Sequence, residues 1–200
     1  AGVRSWGIFF RKREHGIEVL DIEYVTAVEN GVESLPTICV RRAVTPIALD
    51  TDNNGRVENI SGNFQFDMDG DGFSEDLMQW FSPTDGILIY KSFGDDITGK
   101  HLFGDMGRQY TDGFAKLAVE DRNSDGVISG SELEKLAIWT DRNSNTEVDD
   151  GEITSITSHS IEALSVKHYK YSARATLMNG DTLLMRDVLF PIRPIHQAAK

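Results

Sequence analysis

The chain opens on short segments in which apolar and polar residues alternate, which is the pattern of a strand with one buried face. These segments cover Trp6 to Phe10, Ile17 to Val28 and Pro36 to Val44, and Asn30-Gly31 supplies a turn between the last two. We predict that residues 1–44 form an N-terminal β segment. It would be an extra β layer, a remnant of an adjoining domain, or a strand that binds a partner.

The middle of the chain mixes short strands with two helical stretches. Strands are predicted at Pro46 to Leu49, Asn63 to Phe66 and Gly86 to Tyr90. Apolar residues recur at helical spacing in Asp112 to Glu120 and again in Glu132 to Ile138, so both stretches predict helices. Trp80 and Phe81 are the expected core residues of this part, as are Phe114, Leu117, Leu133, Leu136 and Trp139.

Alternation returns after Ile161 and continues to Phe190. The Asn179-Gly180 pair in this stretch is a strong signal for a tight turn, so the sequence predicts a C-terminal β-hairpin. The predicted fold class is therefore α+β: a β-rich module with short helices, preceded by the N-terminal strands and closed by this hairpin.

Four acidic stretches interrupt the strands and helices, starting at Asp50, Asp67, Asp121 and Asp141. Each places oxygen-bearing side chains at every second position, and each is numbered here from its first aspartate as loop 1 to loop 4. Ca²⁺ takes 6 to 8 oxygen ligands at about 2.3 to 2.6 Å, and a tightly curled loop with this alternation can supply them. The sequence therefore predicts EF-hand-like calcium loops holding about three to four ions.

Loop 3 carries the complete EF-hand pattern, with acidic or amide residues at positions 1, 3 and 5, glycine at 6, a carbonyl at 7 and glutamate at 12. Its predicted ligands are Asp121, Asn123, Asp125, Val127 and Glu132. Ile128 at position 8 is expected to pair with another loop through a short β-bridge. Gly126 makes the sharp turn.

Loop 4 repeats the scheme with a weaker turn. Its predicted ligands are Asp141, Asn143, Asn145, Glu147 and Glu152, with Asp149 at position 9. Thr146 occupies the position where glycine is expected, and a residue with a Cβ is strained at positive φ. We therefore expect weaker binding or an altered turn in loop 4.

Loops 1 and 2 lack a carboxylate at position 12, where Ser61 and Met78 stand. Each has a glutamate at position 9 instead, and Asp85 is a plausible remote donor. The predicted ligands are Asp50, Asp52, Asn54, Arg56 and Glu58 in loop 1, Asp67, Asp69, Asp71, Phe73 and Glu75 in loop 2, and Asp85.

A single Asp-x-Asp pattern is more often an Asx turn on a solvated surface than an ion site. Four such patterns in one chain of 200 residues favour calcium. Vestigial loops that keep the fold without an ion remain the alternative.

The charge of the chain supports cation binding and excludes nucleic acid as a partner. The net charge is −12 and the isoelectric point is near 4.8, while 40% of the residues are hydrophobic, enough for a core in one or two domains. Repulsion among the loops should oppose folding until cations arrive. Phosphate binding needs clustered Lys and Arg, and the one basic run, Arg11 to Arg13, is short.

Cys39 is the single cysteine, so no internal disulfide is possible and bound metal is the expected cross-link. The sequence contains neither a signal peptide nor an apolar stretch long enough for a transmembrane helix. Low-affinity calcium loops suit millimolar extracellular calcium. We therefore expect a secreted or cell-surface protein of bacterial type.

The ordered series of motifs resembles the calcium-binding module of large secreted bacterial RTX (repeats-in-toxin) and adhesin-like proteins, whose best-described member is a calcium-triggered self-processing module. The matching residues are Pro46 to Asp50, Phe66 to Phe73, Trp80 to Gly86, Leu102 to Asp105, Gly113 to Ala118, loop 3, Ile138 to Asp141, Gly151 to Ile153, Asn179 to Thr182 and Asp187 to Phe190. The resemblance implies a calcium-binding module at residues 45–195, with residues 1–44 outside it.

Two departures limit what the resemblance implies. Self-processing members have an Asp-Pro bond before this series, and the aspartate carboxyl attacks its own carbonyl; here the bond is Thr45-Pro46, so the chain is not expected to be an enzyme. The family has a further loop at the segment Tyr90 to His101, where this chain offers few oxygens, although Asp95, Asp96 and Asp105 could still hold an ion.

The leading functional hypothesis is an extracellular, calcium-stabilised structural or interaction module with a protein partner or self-assembly. One alternative is a calcium-activated self-cleaving or transpeptidating module, disfavoured by Thr45. The other is a calcium sensor that exposes a groove to a target helix.

Overall fold

The computed structural model describes residues 3–8, 22–29, 32–33, 37–40, 43–68, 70, 72–91, 97–105 and 109–191. The predicted Asn30-Gly31 turn, two predicted ligands of loop 2 (Asp69 and Asp71), and Asp95 and Asp96 lie outside these residues. Side chains are described from residue 45 onward, up to residue 190.

Sixteen strands are present in the described part of the chain. They are β1 (Val3–Ile8), β2 (Ile22–Glu29), β3 (Val32–Glu33), β4 (Thr37–Val40), β5 (Ala43–Val44), β6 (Ile47–Leu49), β7 (Asn59–Phe66), β8 (Glu75–Phe81), β9 (Gly86–Tyr90), β10 (Val127–Ser129), β11 (Leu136–Trp139), β12 (Ile153–Ser155), β13 (Ile161–Ser165), β14 (Ser172–Leu177), β15 (Thr182–Asp187) and β16 (Phe190–Pro191). One α-helix is described, α1 (Gly113–Leu117), together with 3₁₀ turns at Ala118–Glu120, Gly130–Lys135 and Ile156–His159.

The central feature is an eight-stranded antiparallel sheet in the order β10-β13-β14-β15-β6-β9-β11-β12. The hairpin β7-β8 forms a separate two-stranded sheet, and β5 pairs with β16. In the N-terminal segment, β2 pairs with β1, β3 and β4, so the strands predicted there are present. The predicted C-terminal hairpin is β14 and β15, joined by a turn with Gly180 at φ 87°.

Two hydrophobic cores lie on opposite faces of the eight-stranded sheet, because side chains alternate along its central strands. Ile87 and Ile89 join the core beneath the β7-β8 hairpin, while Leu88 between them joins the core that contains α1. The first core is aromatic and includes Phe66, Trp80, Phe81, Trp139 and Phe190.

The predicted α+β class with EF-hand-like helical loops is wrong. The second predicted helix, Glu132 to Ile138, is a 3₁₀ turn at Gly130–Lys135 followed directly by β11. The first, Asp112 to Glu120, is α-helical only over Gly113–Leu117. Apolar residues at helical spacing were misleading here because Leu136 to Trp139 is buried on both faces of a central strand, where apolar residues are continuous rather than alternating.

Within the described part of the chain, no helix has the length and apolar character that crossing a membrane requires.

Candidate cation-binding loops

The four acidic loops share one backbone path. Position 4 has positive φ in every loop: Asn53 at 55°, Gly70 at 76°, Ser124 at 58° and Ser144 at 58°. Position 6 does so as well: Gly55 at 90°, Gly72 at 96°, Gly126 at 95° and Thr146 at 66°. Two left-handed residues separated by one other curl a chain tightly, so these loops are one turn type built four times.

Hydrogen bonds to the first aspartate fix this turn. The N–H of position 6 donates to the position-1 carboxylate at 2.8 Å in loop 1, 3.0 Å in loop 2 and 2.9 Å in loops 3 and 4. In loops 1, 3 and 4 the N–H of position 5 also donates to that carboxylate and to the side-chain oxygen of position 3. The side-chain oxygens of positions 1 and 3 therefore face the inside of each of these three loops, and the side-chain oxygen of position 5 accepts the N–H of position 7.

The glutamates at position 12 close loops 3 and 4. Glu132 accepts the N–H of Arg122 at position 2 (2.8 Å) and that of Ser129 at position 9 (3.1 Å). Glu152 accepts the corresponding N–H groups of Arg142 and Asp149 at 2.8 and 3.1 Å. A position-12 carboxylate is thus marked by bonds from positions 2 and 9.

Asp85 takes the place of that glutamate in loop 1. Its carboxylate accepts the N–H of Glu58, which is position 9, at 2.7 Å. Ligand atoms of Asp50, Asp52 and Asp85 lie within 4.8 Å of one another, so the structure brings the predicted remote donor to its loop. Asp85 is 1% exposed and its Oδ1 is buried without a hydrogen bond. Burial raises the pKa of Asp85 to about 6, and the nearby carboxylates of Asp52 and Asp50 raise it as well.

Glu75 plays the corresponding role in loop 2. It is buried and accepts the N–H of Met68, at position 2, at 2.7 Å. Asp67 Oδ2 accepts the Gly72 N–H, while Asp67 Oδ1 is buried without a hydrogen bond. Glu75, at position 9, is therefore the carboxylate that closes the described part of loop 2.

The remaining predicted ligands lie at the loop surfaces. Arg56 and Phe73 at position 7 of loops 1 and 2 are exposed, as are Asn143 and Glu147 of loop 4. Asn54 donates to both Asp52 (3.0 Å) and Glu58 (3.3 Å), which places all three side chains on the same side of loop 1.

Two indole contacts were not anticipated from the sequence. Trp80 Nε1 donates to Asp141 Oδ2 at 2.7 Å, and Trp139 Nε1 donates to Glu152 Oε2 at 3.3 Å. Both carboxylates belong to loop 4, so this loop is joined to the aromatic core by its first and last acidic residues. Trp139 lies two residues before Asp141, but the partnership of Trp80 depends on tertiary packing and left no signal in the sequence.

Loops 2 and 4 also lie side by side. The hydroxyl of Thr146 donates to the carbonyl of Gln65 at 2.8 Å, just before loop 2 begins. An open groove of about 630 Å³ beside this contact is lined by residues of both loops. Thr146 has the strained positive φ that its sequence predicted, and this hydrogen bond is what a glycine at the same position would lose.

The predicted pairing of Ile128 with another loop is wrong. Residues Val127–Ser129 form β10, which pairs with β13, and Ile128 lies opposite Leu164. The position-8 residue of loop 3 therefore extends the large sheet and leaves loops 3 and 4 without a direct bridge.

The described residues of the segment Tyr90 to His101 form hydrogen bonds with one another and with a neighbouring segment. The Tyr90 N–H donates to the carbonyl of His101 at 2.8 Å, and the Tyr90 hydroxyl donates to Glu120 at 2.9 Å. His101 Nδ1 accepts the Thr98 N–H at 3.1 Å. These hydrogen bonds join the two ends of the segment to each other and connect it to the 3₁₀ turn at Ala118–Glu120.

A second buried polar cluster surrounds the Thr45-Pro46 bond. Asp187 is 5% exposed, and its Oδ2 accepts the Gly113 N–H at 2.8 Å. Thr45 Oγ1 and Asp187 Oδ1 are both buried without hydrogen bonds. Burial raises the pKa of Asp187 to about 8, the Gly113 N–H lowers it, and the carboxylates of Asp112 and Asp105 raise it. The fold therefore favours the protonated form of Asp187.

This proton makes a testable contribution to stability. In the unfolded chain an aspartate has a pKa of about 4, whereas the folded protein raises the pKa of Asp187. Below about pH 4 the carboxyl is protonated in both states, and its contribution to the stability of the fold is then fully present. The stabilisation is lost as pH rises towards the folded pKa of about 8. We expect the free energy of unfolding, measured with urea in excess calcium, to decline between pH 5 and 8 less steeply in Asp187→Asn than in the parent. His168, which lies 3.3 Å from Asp112, stays the same in both proteins. Equal slopes would contradict a neutral Asp187.

Comparison with known protein families matches residues 47–189 to the SPM domain. The match covers all four loops, Asp85 and the eight strands of the large sheet, and it begins just after Thr45-Pro46. No curated protein matches the chain.

Proposed function

The chain belongs to the SPM domain family, and from that membership we propose that it is a calcium-binding module whose folding is driven by the ion. The observation that carries the proposal is the cluster of Asp50, Asp52 and Asp85. Three carboxylates within 4.8 Å of one another repel strongly in the absence of a counter-charge. That span is about twice the Ca²⁺–oxygen distance, so one ion could contact all three.

The orphaned oxygens favour a cation over a set of plain surface turns. Asp85 Oδ1 and Asp67 Oδ1 are buried and accept no hydrogen bond. A buried carboxylate oxygen without a donor is costly, and an Asx turn on the surface would not create one. Both atoms belong to carboxylates that line loops 1 and 2, where a hard cation would satisfy them.

The donor set fits calcium. Loop 1 would hold the ion with Asp50, Asp52, Asn54, the Arg56 carbonyl and Asp85, and loop 2 with Asp67, the Phe73 carbonyl and Glu75 among its described residues. Loops 3 and 4 would use positions 1, 3, 5, 7 and 12. Every donor is an oxygen, which suits Ca²⁺ and does not suit the softer metals that prefer sulfur or imidazole. Calcium supplies positive charge at each loop and performs no step of chemistry.

The charge balance explains why ion binding would drive folding. The net charge is −12, and four Ca²⁺ would reduce it to about −4. The buried acidic groups at the loops are all at most 9% exposed, and they are Asp50, Glu75, Asp85, Glu132, Asp141 and Glu152. Burying them without a counter-charge is unfavourable, so the folded state and the bound ions should form together.

Replacement of Asp85 tests the loop 1 assignment. Asp85→Asn keeps the shape of the side chain and removes its charge, so we expect loop 1 to lose at least about tenfold in calcium affinity. Isothermal titration calorimetry would follow the binding events. Glu162→Gln is the matched control, because Glu162 is an exposed carboxylate on β13 outside the loops. Equal titrations for the two variants would contradict the assignment.

We place this module outside the cell, in a secreted or surface-attached protein of the RTX or adhesin type. The proposal rests on the acidic loops, whose completion by remote residues suits millimolar calcium. Its function there is structural: ion-dependent folding would permit attachment to a protein partner or assembly with further copies. No catalytic role is proposed for this chain.

Self-processing is the second candidate function, because membership of the family and the buried Asp187 beside Thr45 both favour it. The threonine hydroxyl cannot form the cyclic anhydride that a carboxyl at position 45 would form. We therefore expect the chain to stay intact after incubation with calcium. Mass spectrometry would detect a new fragment beginning at Pro46 if this expectation is wrong.

The sensor alternative has little structural basis. Sensors expose a groove when a pair of helices opens. In the described part of this chain α1 is the single α-helix, and it has five residues.

A further inference from the structure

We propose that residues 43–49 and 185–191, here called the clasp, pair with each other only when the cation loops are filled. This pairing would hold the two ends of the module next to each other. The inference rests on the proposed function, because calcium is the ion that closes the clasp. Its partner is the chain itself, through the residues that precede 43 and follow 191.

The two segments run side by side along their whole length. Antiparallel partners are Ala43 with Pro191, Val44 with Phe190 and Ile47 with Asp187, and the pairing continues to Leu49 with Met185. Between the paired strands, the N–H of Val188 donates to the carbonyl of Pro46 at 2.9 Å. The first and last strands of the module are therefore neighbours, and its two ends leave at the same point.

Buried side chains anchor both segments. Ile47 and Leu49 are fully buried on one face of the sheet, and Ala48 is fully buried on the other. Phe190 is also fully buried, with its ring 4.8 Å from that of Phe81 and 6.2 Å from that of Trp80. Each segment thus contributes to the same hydrophobic cores, and neither can leave without exposing apolar surface.

Polar contacts fix the register between the two segments of the clasp. The side chain of Gln79, on the β7-β8 hairpin, donates to the carbonyl of Leu189 at 2.9 Å. On the other side Asp187 accepts the Gly113 N–H at the start of α1. The outgoing segment is therefore held from both faces of the module, which fixes its position along the incoming one.

Two cation loops connect directly to the clasp. Loop 1 begins at Asp50, the residue that follows β6, and the Asp50 N–H continues the pairing by donating to the carbonyl of Leu184 at 3.0 Å. Loop 4 reaches the clasp through Trp80, which contacts Phe190 on one side and donates to Asp141 on the other. Repulsion within either loop would therefore act on a group that the clasp needs.

The binding of ions would control the distance between the two ends of the module. Without ions, the carboxylates of loop 1 repel at the end of β6 and the chain ends separate. With ions, the ends are held one strand spacing apart, about 4.7 to 4.9 Å. Calcium occupancy would therefore set the distance between the chain segments that enter the module at residue 43 and leave it at residue 191. A change in calcium concentration would alter this distance without the binding of a partner.

A disulfide across the clasp tests the inference. In a Cys39→Ser background, Ala43→Cys and Pro191→Cys place two thiols at directly opposed positions, where the Cα separation of an antiparallel pair suits a disulfide. We expect oxidation to close the bridge in calcium and to leave it largely open in chelator. One filled site at 100 times its dissociation constant changes the folded-to-unfolded ratio about a hundredfold, so the two conditions should differ clearly.

The control pair is Ala43→Cys with Leu189→Cys, which is out of register by two residues and uses an exposed position. We expect it to bridge much more slowly in calcium. Equal rates for the two pairs, or a 43–191 bridge that forms equally well with and without calcium, would overturn the clasp.

Far-ultraviolet circular dichroism on the same samples separates the two proposals. If calcium leaves the spectrum unchanged, the proposed calcium-driven folding fails. If calcium changes the spectrum and the 43–191 bridge still does not form, the clasp fails and calcium-driven folding stands. A bridge that depends on calcium together with a spectral change supports both.

Discussion

Removal of calcium is expected to unfold residues 45–191. Each site filled at 100 times its dissociation constant stabilises the folded state by about 2.7 kcal/mol. Several such sites together would equal a typical net stability of about 5 to 15 kcal/mol. Chelator added to the calcium-loaded protein should therefore abolish the β-sheet signal in the far-ultraviolet spectrum, and excess calcium should restore it.

Magnesium at equal concentration is the control for ionic strength. Mg²⁺ prefers octahedral geometry at about 2.0 to 2.1 Å and gives up its water reluctantly, so it should restore little of the spectrum. A spectrum that chelator leaves unchanged would show that the folded state is stable without ions, and the loops would then be vestigial. Full recovery in magnesium would show that screening of the acidic loops is sufficient for folding.

The sequence predicted the local geometry of the loops well, because that geometry depends on residues a few positions apart. Gly55, Gly72 and Gly126 stand at positive φ where the pattern required it, and Thr146 occupies the same conformation under strain. Asp85 was a candidate remote donor for loops 1 and 2, which both lack a position-12 carboxylate, and the fold brings it to Asp50 and Asp52 of loop 1. Which of the two loops it would approach could not be predicted from the sequence.

What the sequence could not predict depends on tertiary packing. Leu133, Leu136 and Trp139 have helical spacing, yet Leu136–Trp139 became a strand because β9 and β12 flank it on either side. Likewise, nothing near Trp80 in the sequence indicates that its indole reaches Asp141, 61 residues away. Asp187 belongs to a motif that the resemblance singled out, but nothing in the sequence showed that the fold would bury it beside Thr45 and Gly113.

Loss of the Trp80 side chain is expected to have the largest effect of any single substitution. Trp80 is fully buried, and its ring contacts those of Phe66, Trp139 and Phe190 at 5.1, 5.8 and 6.2 Å. Truncation of a buried tryptophan to alanine costs about 3 to 5 kcal/mol. Trp80→Ala should therefore remove a large part of the free energy of unfolding of the module, which urea unfolding in excess calcium would measure.

The indole N–H of Trp80 is expected to raise the calcium affinity of loop 4, an effect that is separate from the packing of its ring. Trp80→Phe keeps an aromatic ring and removes the donor to Asp141, a hydrogen bond to a charged group of the kind that contributes about 1.5 to 3 kcal/mol. Asp141 would lose one of the donors that orient it, so loop 4 should bind calcium more weakly. Phe81→Leu is the matched control, because it removes neighbouring core volume and no hydrogen bond. Calorimetric titration should show one weakened site in Trp80→Phe and none in Phe81→Leu, since of these two side chains it is Trp80 that donates to the first carboxylate of loop 4. An unchanged loop 4 affinity in Trp80→Phe would mean that the aromatic core and the ion site are energetically independent.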